Sequence, residues 1–129
     1  LLAKKYIVIA DRYVDSSYVY QGLARGLGYE EIKLINEFAI NGLMPDITFL
    51  LDLDYQEGQR RRHNTVKVDR MDMQKKKFYE TVHAGYHDIA EKHNGRIVVV
   101  DASLDIQAIH QTIYQYLQNY IRRELRDKE

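Results

Sequence analysis

The chain has 129 residues, of which 45% are hydrophobic and 29% charged, as expected for one globular domain. Nineteen Lys and Arg balance nineteen Asp and Glu, so bulk charge gives no support for a nucleic-acid-binding surface. The absence of cysteine excludes disulfides, a thiolate nucleophile and cysteine-ligated zinc. Because no apolar stretch is long enough for a membrane span and no signal-peptide pattern is present, we expect a single cytosolic domain over residues 1–129.

Three apolar, β-branched runs predict strands that are buried on both faces. In chain order these runs are Tyr6–Ala10, Ile47–Leu51 and Ile97–Val100. An aspartate follows each run, and parallel strands would bring the three carboxylates to the sheet edge where ligands bind. They are Asp11, Asp52 and Asp101. Aspartate is also common where strands pass into loops, so each of the three could equally be a loop residue.

Four segments with helical periodicity lie between and after these runs. They are Glu30–Asn41, with Gly42 in the capping position, Tyr55–Arg62, Asp72–His93 and Asp105–Arg122. The expected apolar faces are Ile32, Ile35, Phe38 and Ala39; Phe78, Val82, Tyr86 and Ile89; and Ile106, Ile109, Ile113 and Leu117. The alternation of strands and helices predicts an α/β fold with a largely parallel sheet.

The segment Asp11–Gly26 carries the chemistry of a nucleotide site. Its arginine can bind phosphate oxygens with a fork of donors, its tyrosine can stack on a base, and its glutamine can read a base edge. Two adjacent serines add hydroxyl groups. These residues are Arg12, Ser16, Ser17, Tyr20 and Gln21. The alternative interpretation is a capped helix start beside a solvated arginine.

An ordered series of motifs across nearly the whole chain resembles the thymidylate kinases. The Asp-Arg-Tyr, Ser-Ser and Tyr-Gln-Gly of the segment above resemble the family signature. The remaining matches are Asn36–Ala39 with Gly42-Leu43 and Pro45-Asp46, Glu57–Arg61 and Asp69-Arg70 as borders of the lid, Gly85-Tyr86, and Val100–Ser103. The resemblance implies a three-layer P-loop nucleoside-monophosphate-kinase fold, transfer of the ATP γ-phosphate to dTMP to give dTDP, Mg²⁺ with ATP, and a homodimer formed by helices beside the pocket.

The resemblance also implies roles for individual residues of the first segment. Arg12 would hold the phosphate of dTMP, and Asp11 would order the magnesium shell through water. Ser17 and Gln21 would contact the thymine edge, and Tyr20 would stack on or wall the sugar. For Ser16 two roles stay open, a substrate contact or a cap of the following helix.

A basic segment over about residues 60–72 would be the lid that closes on ATP. Arg61 would lie against adenine, and Arg70 would belong to the closing Asp-Arg pair. Arg62 and Lys67 are the cations available between them to reach the transferred phosphoryl group. Asp101 lies in the loop that resembles the adenine site. The alternative is a solvated, charged loop.

The phosphate-binding motif GxxxxGK[ST] does not occur in these residues, because none of the seven glycines precedes a lysine. We therefore interpret the chain as the C-terminal part of a thymidylate kinase, lacking the first strand and P-loop and inactive alone.

In the family's sheet the P-loop strand lies between the strands matching Tyr6–Ala10 and Ile47–Leu51. These two could pair directly, another chain could fill the gap, or the chain could self-associate. The alternatives are a non-catalytic nucleotide-binding or interaction module and a different P-loop nucleoside or nucleotide kinase.

One further pair of residues is suited to metal binding. His83 and His87 are one helical turn apart, which is a spacing that can bind zinc. No glutamate lies between them in the HExxH arrangement. We therefore interpret both as exposed helix residues.

Overall fold

The computed structural model describes residues 2–4, 6–62 and 70–126. In chain order it contains a 3₁₀ helix at Leu2–Lys4, α1 at Val14–Ser17, a π-helix at Tyr18–Ala24, α2 at Tyr29–Ile40, β1 at Thr48–Asp52, α3 at Tyr55–Arg62, α4 at Arg70–Lys92, β2 at Ile97–Asp101 and α5 at Ile106–Arg126. The four predicted helices and two of the three predicted strands are therefore confirmed. Over these ranges, no helix has the length and apolar character that a membrane span needs.

The two strands form a parallel sheet between layers of helix. They pair in register over all five residues of each strand. Ile97 of β2 packs with Val82 and Ile89 of α4. Phe49 of β1 follows the residue that pairs with Ile97, so its side chain points to the opposite face, where it packs edge-on against Tyr116 of α5 at 5.6 Å between ring centroids. The predicted three-layer α/β arrangement is confirmed.

The predicted strand at Tyr6–Ala10 is wrong. This segment has no regular secondary structure, and Ile7 and Ile9 are 82% and 92% exposed. Within the described ranges the sheet consists of β1 and β2, which pair with each other, so no strand lies beside this segment to form ladder hydrogen bonds. Direct pairing with the next apolar run, one of the three arrangements considered from the sequence, is also absent from this structure.

The prediction that both faces of the strands are buried is also wrong in part. Leu51 and Val99 are about half exposed, because two strands give too little sheet area to cover both faces fully. The predicted apolar face of α4 is confirmed as buried or half-buried. On α2, by contrast, Ile35 and Phe38 are exposed, and so is Ile106 at the start of α5. Periodicity marks an apolar face but does not specify which element covers it.

A buried ion pair fixes the start of α1 against the sheet. Asp15 is only 5% exposed, and both of its carboxylate oxygens accept hydrogen bonds from Arg96 at 2.6 and 2.8 Å. The Thr48 hydroxyl donates to the same carboxylate at 2.8 Å and accepts from Arg96 at 2.9 Å. Bonding to Asp15 raises the pKa of the Arg96 guanidinium, which keeps its charge. The segment that carries the residues predicted for a nucleotide site is therefore anchored beside the starts of both strands.

The π-helix that follows α1 packs closely against α4, and the absence of a side chain at one glycine permits this close approach. A Cβ at Gly85 would lie 3.1 Å from Cδ1 of Leu23 and 3.2 Å from Cγ1 of Val19, which is fully buried. Such distances are shorter than ordinary carbon contacts, and a fully buried neighbour has little room to move. The glycine of the Gly-Tyr motif thus lets α4 approach the π-helix, and the next residue, Tyr86, reaches the same region.

Candidate functional site

The residues predicted for a nucleotide site come together in one cleft of about 450 Å³. It lies between the turn before α1, the π-helix and α2. The lining residues are Arg12, Tyr13, Val14, Ser16, Ser17, Tyr20, Gln21, Asn36 and Ile40. All five candidates for phosphate, sugar and base contacts are therefore on its wall. Grouping alone does not assign their roles, which stay predictions.

Arg12 sits at the entrance of α1 in an unusual backbone conformation. Its φ is +65°, a left-handed value that non-glycine residues rarely adopt and that is often found at functional sites. Its Nη2 atom lies 3.4 Å from the Tyr20 hydroxyl, and its guanidinium lies 5.0 Å from the centre of the Tyr20 ring. The neighbouring Tyr20 raises the pKa of the Arg12 guanidinium. The turn thus presents a permanent positive charge to the cleft.

Gln21 brings a free hydrogen-bond acceptor to the cleft. Its Oε1 atom is buried and has no hydrogen-bond partner among the described residues. Leaving a buried amide oxygen unpaired is unfavourable, so this atom is available to a donor from outside the described residues. The π-helix containing Gln21 is itself a rare element that is frequent at functional sites.

Aromatic side chains from α4 support the cleft from behind. The Tyr20 ring packs against Phe78 and Tyr86, with centroids 6.0 and 6.3 Å apart. The Tyr86 hydroxyl shares a hydrogen bond of 2.9 Å with the Ser16 hydroxyl. Burial raises the pKa of Tyr86, which stays neutral at physiological pH. Tyr20 is therefore held as a fixed wall.

Ser16 does not cap the helix, so that alternative is wrong. The capping residue of α1 is Tyr13, which makes no side-chain capping bond, and Ser16 lies inside the helix. Its hydroxyl is used by Tyr86 instead. A serine near a helix start is a common cap, but here the helix begins three residues earlier than the capping interpretation requires.

The strand-end aspartates are distributed differently from the prediction. Asp52 and Asp101 pair with each other in register at the carboxyl edge of the sheet, as expected. Asp11 follows no strand, and it is exposed next to Arg12. Hydrogen bonding by the Ser103 side chain, and then by the Ser103 backbone N–H at 2.8 Å, lowers the pKa of Asp101, and these bonds shape the loop after β2.

A second cleft, of about 720 Å³, lies where α3 meets the loop after β2. It is lined by Arg61, Leu104, Asp105, Ile106 and Gln107. The guanidinium of Arg61 donates to the carbonyl oxygens of Ala102 and Ser103 at 2.9 and 3.1 Å and to Glu57 at 2.9 Å. Arg61 is thus fixed across this cleft, while Asp101 is not part of its lining.

The other predicted lid residues are only partly covered by the structure. Arg62 ends α3 and Arg70 begins α4, whereas Lys67 lies outside the described residues. On α3, just before the predicted lid, hydrogen bonds from Arg60 and then Arg61 lower the pKa of Glu57 to about 2. That Arg62 or Lys67 reaches the transferred phosphoryl group stays a prediction.

Sequence reasoning did not assign several residues of the first cleft. The cleft is also lined by Tyr13, Asn36 and Ile40. Tyr86 supports it through the hydrogen bond to Ser16. The asparagine and the Gly-Tyr pair were visible as motifs in the resemblance, which was the available signal. Tyr13 was visible in the same way, as the tyrosine of the Asp-Arg-Tyr motif, whereas Ile40 offered no signal because its place depends on how α2 packs against α1.

Comparison with known proteins identifies the family. The family described as Thymidylate kinase matches residues 1–113 of the chain. The chain belongs to the thymidylate kinase family. Among individual thymidylate kinases, that of Staphylococcus epidermidis is 42% identical over 117 residues, covering 90% of this chain and 58% of the relative. That of Mycoplasma mobile is 40% identical over 124 residues, covering 95% of this chain and 59% of the relative.

The fold of the chain is also similar to that of a solved thymidylate kinase structure. The crystal structure of the thymidylate kinase from Ehrlichia chaffeensis matches with a TM-score of 0.64 and 31% identity, covering 90% of this chain and 51% of that chain. The fold is thus that of the P-loop nucleoside-monophosphate kinases. The chain spans between half and three fifths of the length of these relatives.

Proposed function

We propose that this chain carries the dTMP-binding part of a thymidylate kinase, an enzyme that transfers the γ-phosphate of ATP to dTMP to give dTDP. The observation that carries the proposal is the first cleft, which combines the Arg12 cation with the unpartnered Oε1 of Gln21. A nucleotide monophosphate offers a matching phosphate and a base with N–H donors. The match of the chain to thymidylate kinases favours thymine as that base.

Each cleft residue has a distinct task in this proposal. Arg12 binds the phosphate of dTMP with its fork of donors and holds it in line for attack. Gln21 accepts the thymine N3–H at its buried Oε1, and Ser17 completes the contact with the base edge. Tyr20, held by the aromatic rings of α4, walls the sugar. Ser16 positions Tyr86 and lines the cleft.

The residues present fit the magnesium ion that nucleotide kinases use with ATP. Asp11 supplies an exposed carboxylate beside Arg12, and Mg²⁺ is typically held by one or two carboxylates together with waters and substrate phosphates. When bound, the ion neutralises charge on the phosphates during transfer. Asp11 would order the water shell of the ion, while Arg12 would keep the acceptor phosphate in place. The chain's own contribution is therefore positioning and charge.

The second cleft is the place for ATP in this proposal. Arg61, fixed by the loop after β2, offers a flat guanidinium on which adenine can lie, and Asp101 shapes the same loop. Arg62, Lys67 and Arg70 belong to the lid over about residues 60–72, which brings positive charge to the transferred group. These assignments follow the family resemblance.

Helix α2 supports a homodimer. Leu34, Ile35 and Phe38 are 68%, 64% and 90% exposed on a helix that also lines the first cleft. A second copy that covers these side chains would remove their apolar surface from water. The proposal places the dimer in the cytosol, as a single domain per chain.

The proposal is tested by calorimetric titration of the 129-residue chain with dTMP, using UMP and dCMP as controls. We expect dTMP to bind selectively, even if weakly, and no phosphate to transfer from ATP, because these residues contain no Gly-Lys pair to cradle its phosphates. Failure of a chain that is folded by circular dichroism to bind dTMP would contradict the proposal. Equal binding of UMP or dCMP would favour another nucleotide kinase.

A non-catalytic nucleotide-binding module is the second candidate, favoured by the lack of a GxxxxGK[ST] motif in these residues. Both candidates predict dTMP binding by the 129-residue chain. They differ in the protein encoded by the whole gene. Transfer of phosphate to dTMP by that protein would exclude the module, and dTMP binding without transfer would exclude the kinase.

Replacing Gln21 by alanine is expected to weaken dTMP binding by about 1–3 kcal/mol, because the thymine N3–H loses its buried acceptor. Binding of inorganic phosphate at Arg12 should be unchanged. Titration of the variant with both ligands measures the difference. Gln118→Ala is the matched control, since Gln118 lies on α5 and bonds to Tyr114 away from the cleft. A loss as large in the control as in the Gln21 variant would contradict the assignment.

A further inference from the structure

The end of strand β1 meets two histidines of α4 at a place that lines neither cleft. Asp52 is the last residue of β1, and His83 and His87 are one turn apart on α4. Oδ1 of Asp52 lies 2.8 Å from Nε2 of His83 and 3.1 Å from Nε2 of His87. One ligand atom from each of the three residues lies within 4.8 Å of the other two. Three groups able to bind a metal therefore converge on one point.

The two histidines are not equally satisfied by the carboxylate. His83 forms a hydrogen bond with Asp52. Nε2 of His87 is buried and, although it lies 3.1 Å from the same oxygen, has no hydrogen bond with any described residue. The Asp52 oxygen is within ion-pair distance of this nitrogen but does not form a hydrogen bond with it, and a buried imidazole nitrogen without a hydrogen bond is unfavourable unless another group engages it. A simple pair of hydrogen bonds to Asp52 leaves this atom unexplained.

We propose that Asp52, His83 and His87 form a binding site for a divalent transition metal ion of the zinc class. Ligand bonds of about 2.0–2.2 Å in tetrahedral geometry place neighbouring ligand atoms roughly 3.3–3.6 Å apart. The distances of 2.8 and 3.1 Å to Asp52 are a few tenths of an ångström below this range, and the ligand atoms of the two histidines lie within 4.8 Å of each other, so side-chain rotations would bring all three atoms into it. Two imidazoles and a carboxylate suit Zn²⁺, Co²⁺ or Ni²⁺ better than Mg²⁺ or Ca²⁺, which prefer oxygen ligands.

The position of the site gives the ion a structural role. It would link the end of β1 to the middle of α4, the helix whose Tyr86 lies between the two histidines in sequence and bonds to Ser16 of the first cleft. The side chains of His83 and His87 are 45% and 43% exposed, so an ion can enter from solvent and keep water as its fourth ligand. Binding to the folded state alone would stabilise it by mass action.

The first test is titration of the 129-residue chain with Zn²⁺ by calorimetry and with Co²⁺ by visible spectroscopy. We expect one ion per chain, the intense visible absorption of tetrahedral Co²⁺, and a rise of the unfolding temperature with added Zn²⁺ that depends on its concentration. Absence of binding by the folded chain would overturn the proposal.

Variants then locate the site. His83→Gln and His87→Gln should each weaken Zn²⁺ binding at least tenfold, since loss of even an outer-shell partner costs roughly 10–100-fold in metal affinity. His110→Gln is the matched control, because His110 is an exposed histidine of α5 that stacks on Tyr114. The affinity of the His110→Gln variant for Zn²⁺ should equal that of the unchanged chain.

Folding of each variant is checked by circular dichroism without metal. Asp52→Asn provides an independent test, because it alters the third ligand without changing either histidine, and it too should weaken binding at least tenfold. Unchanged Zn²⁺ affinity in the folded His83→Gln, His87→Gln double variant would overturn the proposal. An equal loss of affinity in His110→Gln would overturn it as well.

Discussion

Replacing Arg96 by alanine is expected to lower the free energy of unfolding by about 3–5 kcal/mol, because it leaves the buried Asp15 carboxylate without its charged partner. Asp15 is 5% exposed and receives two hydrogen bonds from Arg96, at 2.6 and 2.8 Å. The remaining donor, Thr48, cannot neutralise the carboxylate. Since a domain has a net stability of only about 5–15 kcal/mol, the loss should be plain in urea-induced unfolding.

Matched variants separate the ion pair from a general loss of side chain. Arg25→Ala removes an exposed arginine that follows the π-helix and should change stability by less than about 0.5 kcal/mol. The double variant Asp15→Leu, Arg96→Met should be less destabilised than the sum of its single variants, because no buried charge is left unpaired. An Arg96→Ala chain as stable as the Arg25→Ala control would show that the pair does not anchor α1.

The sequence predicted elements correctly where the signal was local. Helix α3 has the predicted bounds, and α2, α4 and both observed strands begin within two residues of their predicted positions. The error at Tyr6–Ala10 has a different origin. A run of β-branched residues indicates a segment that favours burial in a sheet, but a strand exists only beside a neighbour. In the part of the chain that the structure describes, that neighbour is absent.

The same distinction explains which site residues could be found. The first cleft contains three of the predicted residues that lie within ten positions of one another, Arg12, Tyr20 and Gln21. Because they are so close in the sequence, one predicted helix start was enough to indicate that they lie together. Contacts between distant residues could not be read from spacing. Asp15 with Arg96 joins residues 81 apart, Ser16 with Tyr86 joins residues 70 apart, and Asp52 with His83 joins residues 31 apart.

The case of His83 and His87 shows what a missing third residue does to an interpretation. Because no glutamate lies between them, the sequence indicated only two metal ligands. Two exposed histidines on a helix do not usually form a metal site. The third group, Asp52, comes from a strand, and only the packing of α4 against the sheet brings it within reach. His83 is exposed as predicted, but His87 is only half-exposed and its Nε2 is buried.

Removing the guanidinium of Arg12 should have the largest effect on ligand binding. In Arg12→Ala we expect dTMP to bind about ten- to a hundredfold more weakly, since a hydrogen bond to a charged group contributes about 1.5–3 kcal/mol. In a complete enzyme containing this chain, turnover should fall as well, because the acceptor phosphate is no longer held in line. Calorimetry with dTMP and with thymidine, which lacks the phosphate, measures the effect.

The comparison of ligands and variants makes this prediction specific. Thymidine should bind the Arg12→Ala chain as it binds the unchanged chain, because its base contacts depend on Gln21. Arg12→Lys should recover part of the dTMP affinity, since lysine keeps the charge but loses the fork of donors. Arg12→Gly should bind dTMP as weakly as the alanine variant while relieving the strain of φ at +65°. Arg25→Ala should leave dTMP binding unchanged. If Arg12→Ala instead weakened thymidine and dTMP equally, Arg12 would shape the cleft through Tyr20 rather than bind phosphate.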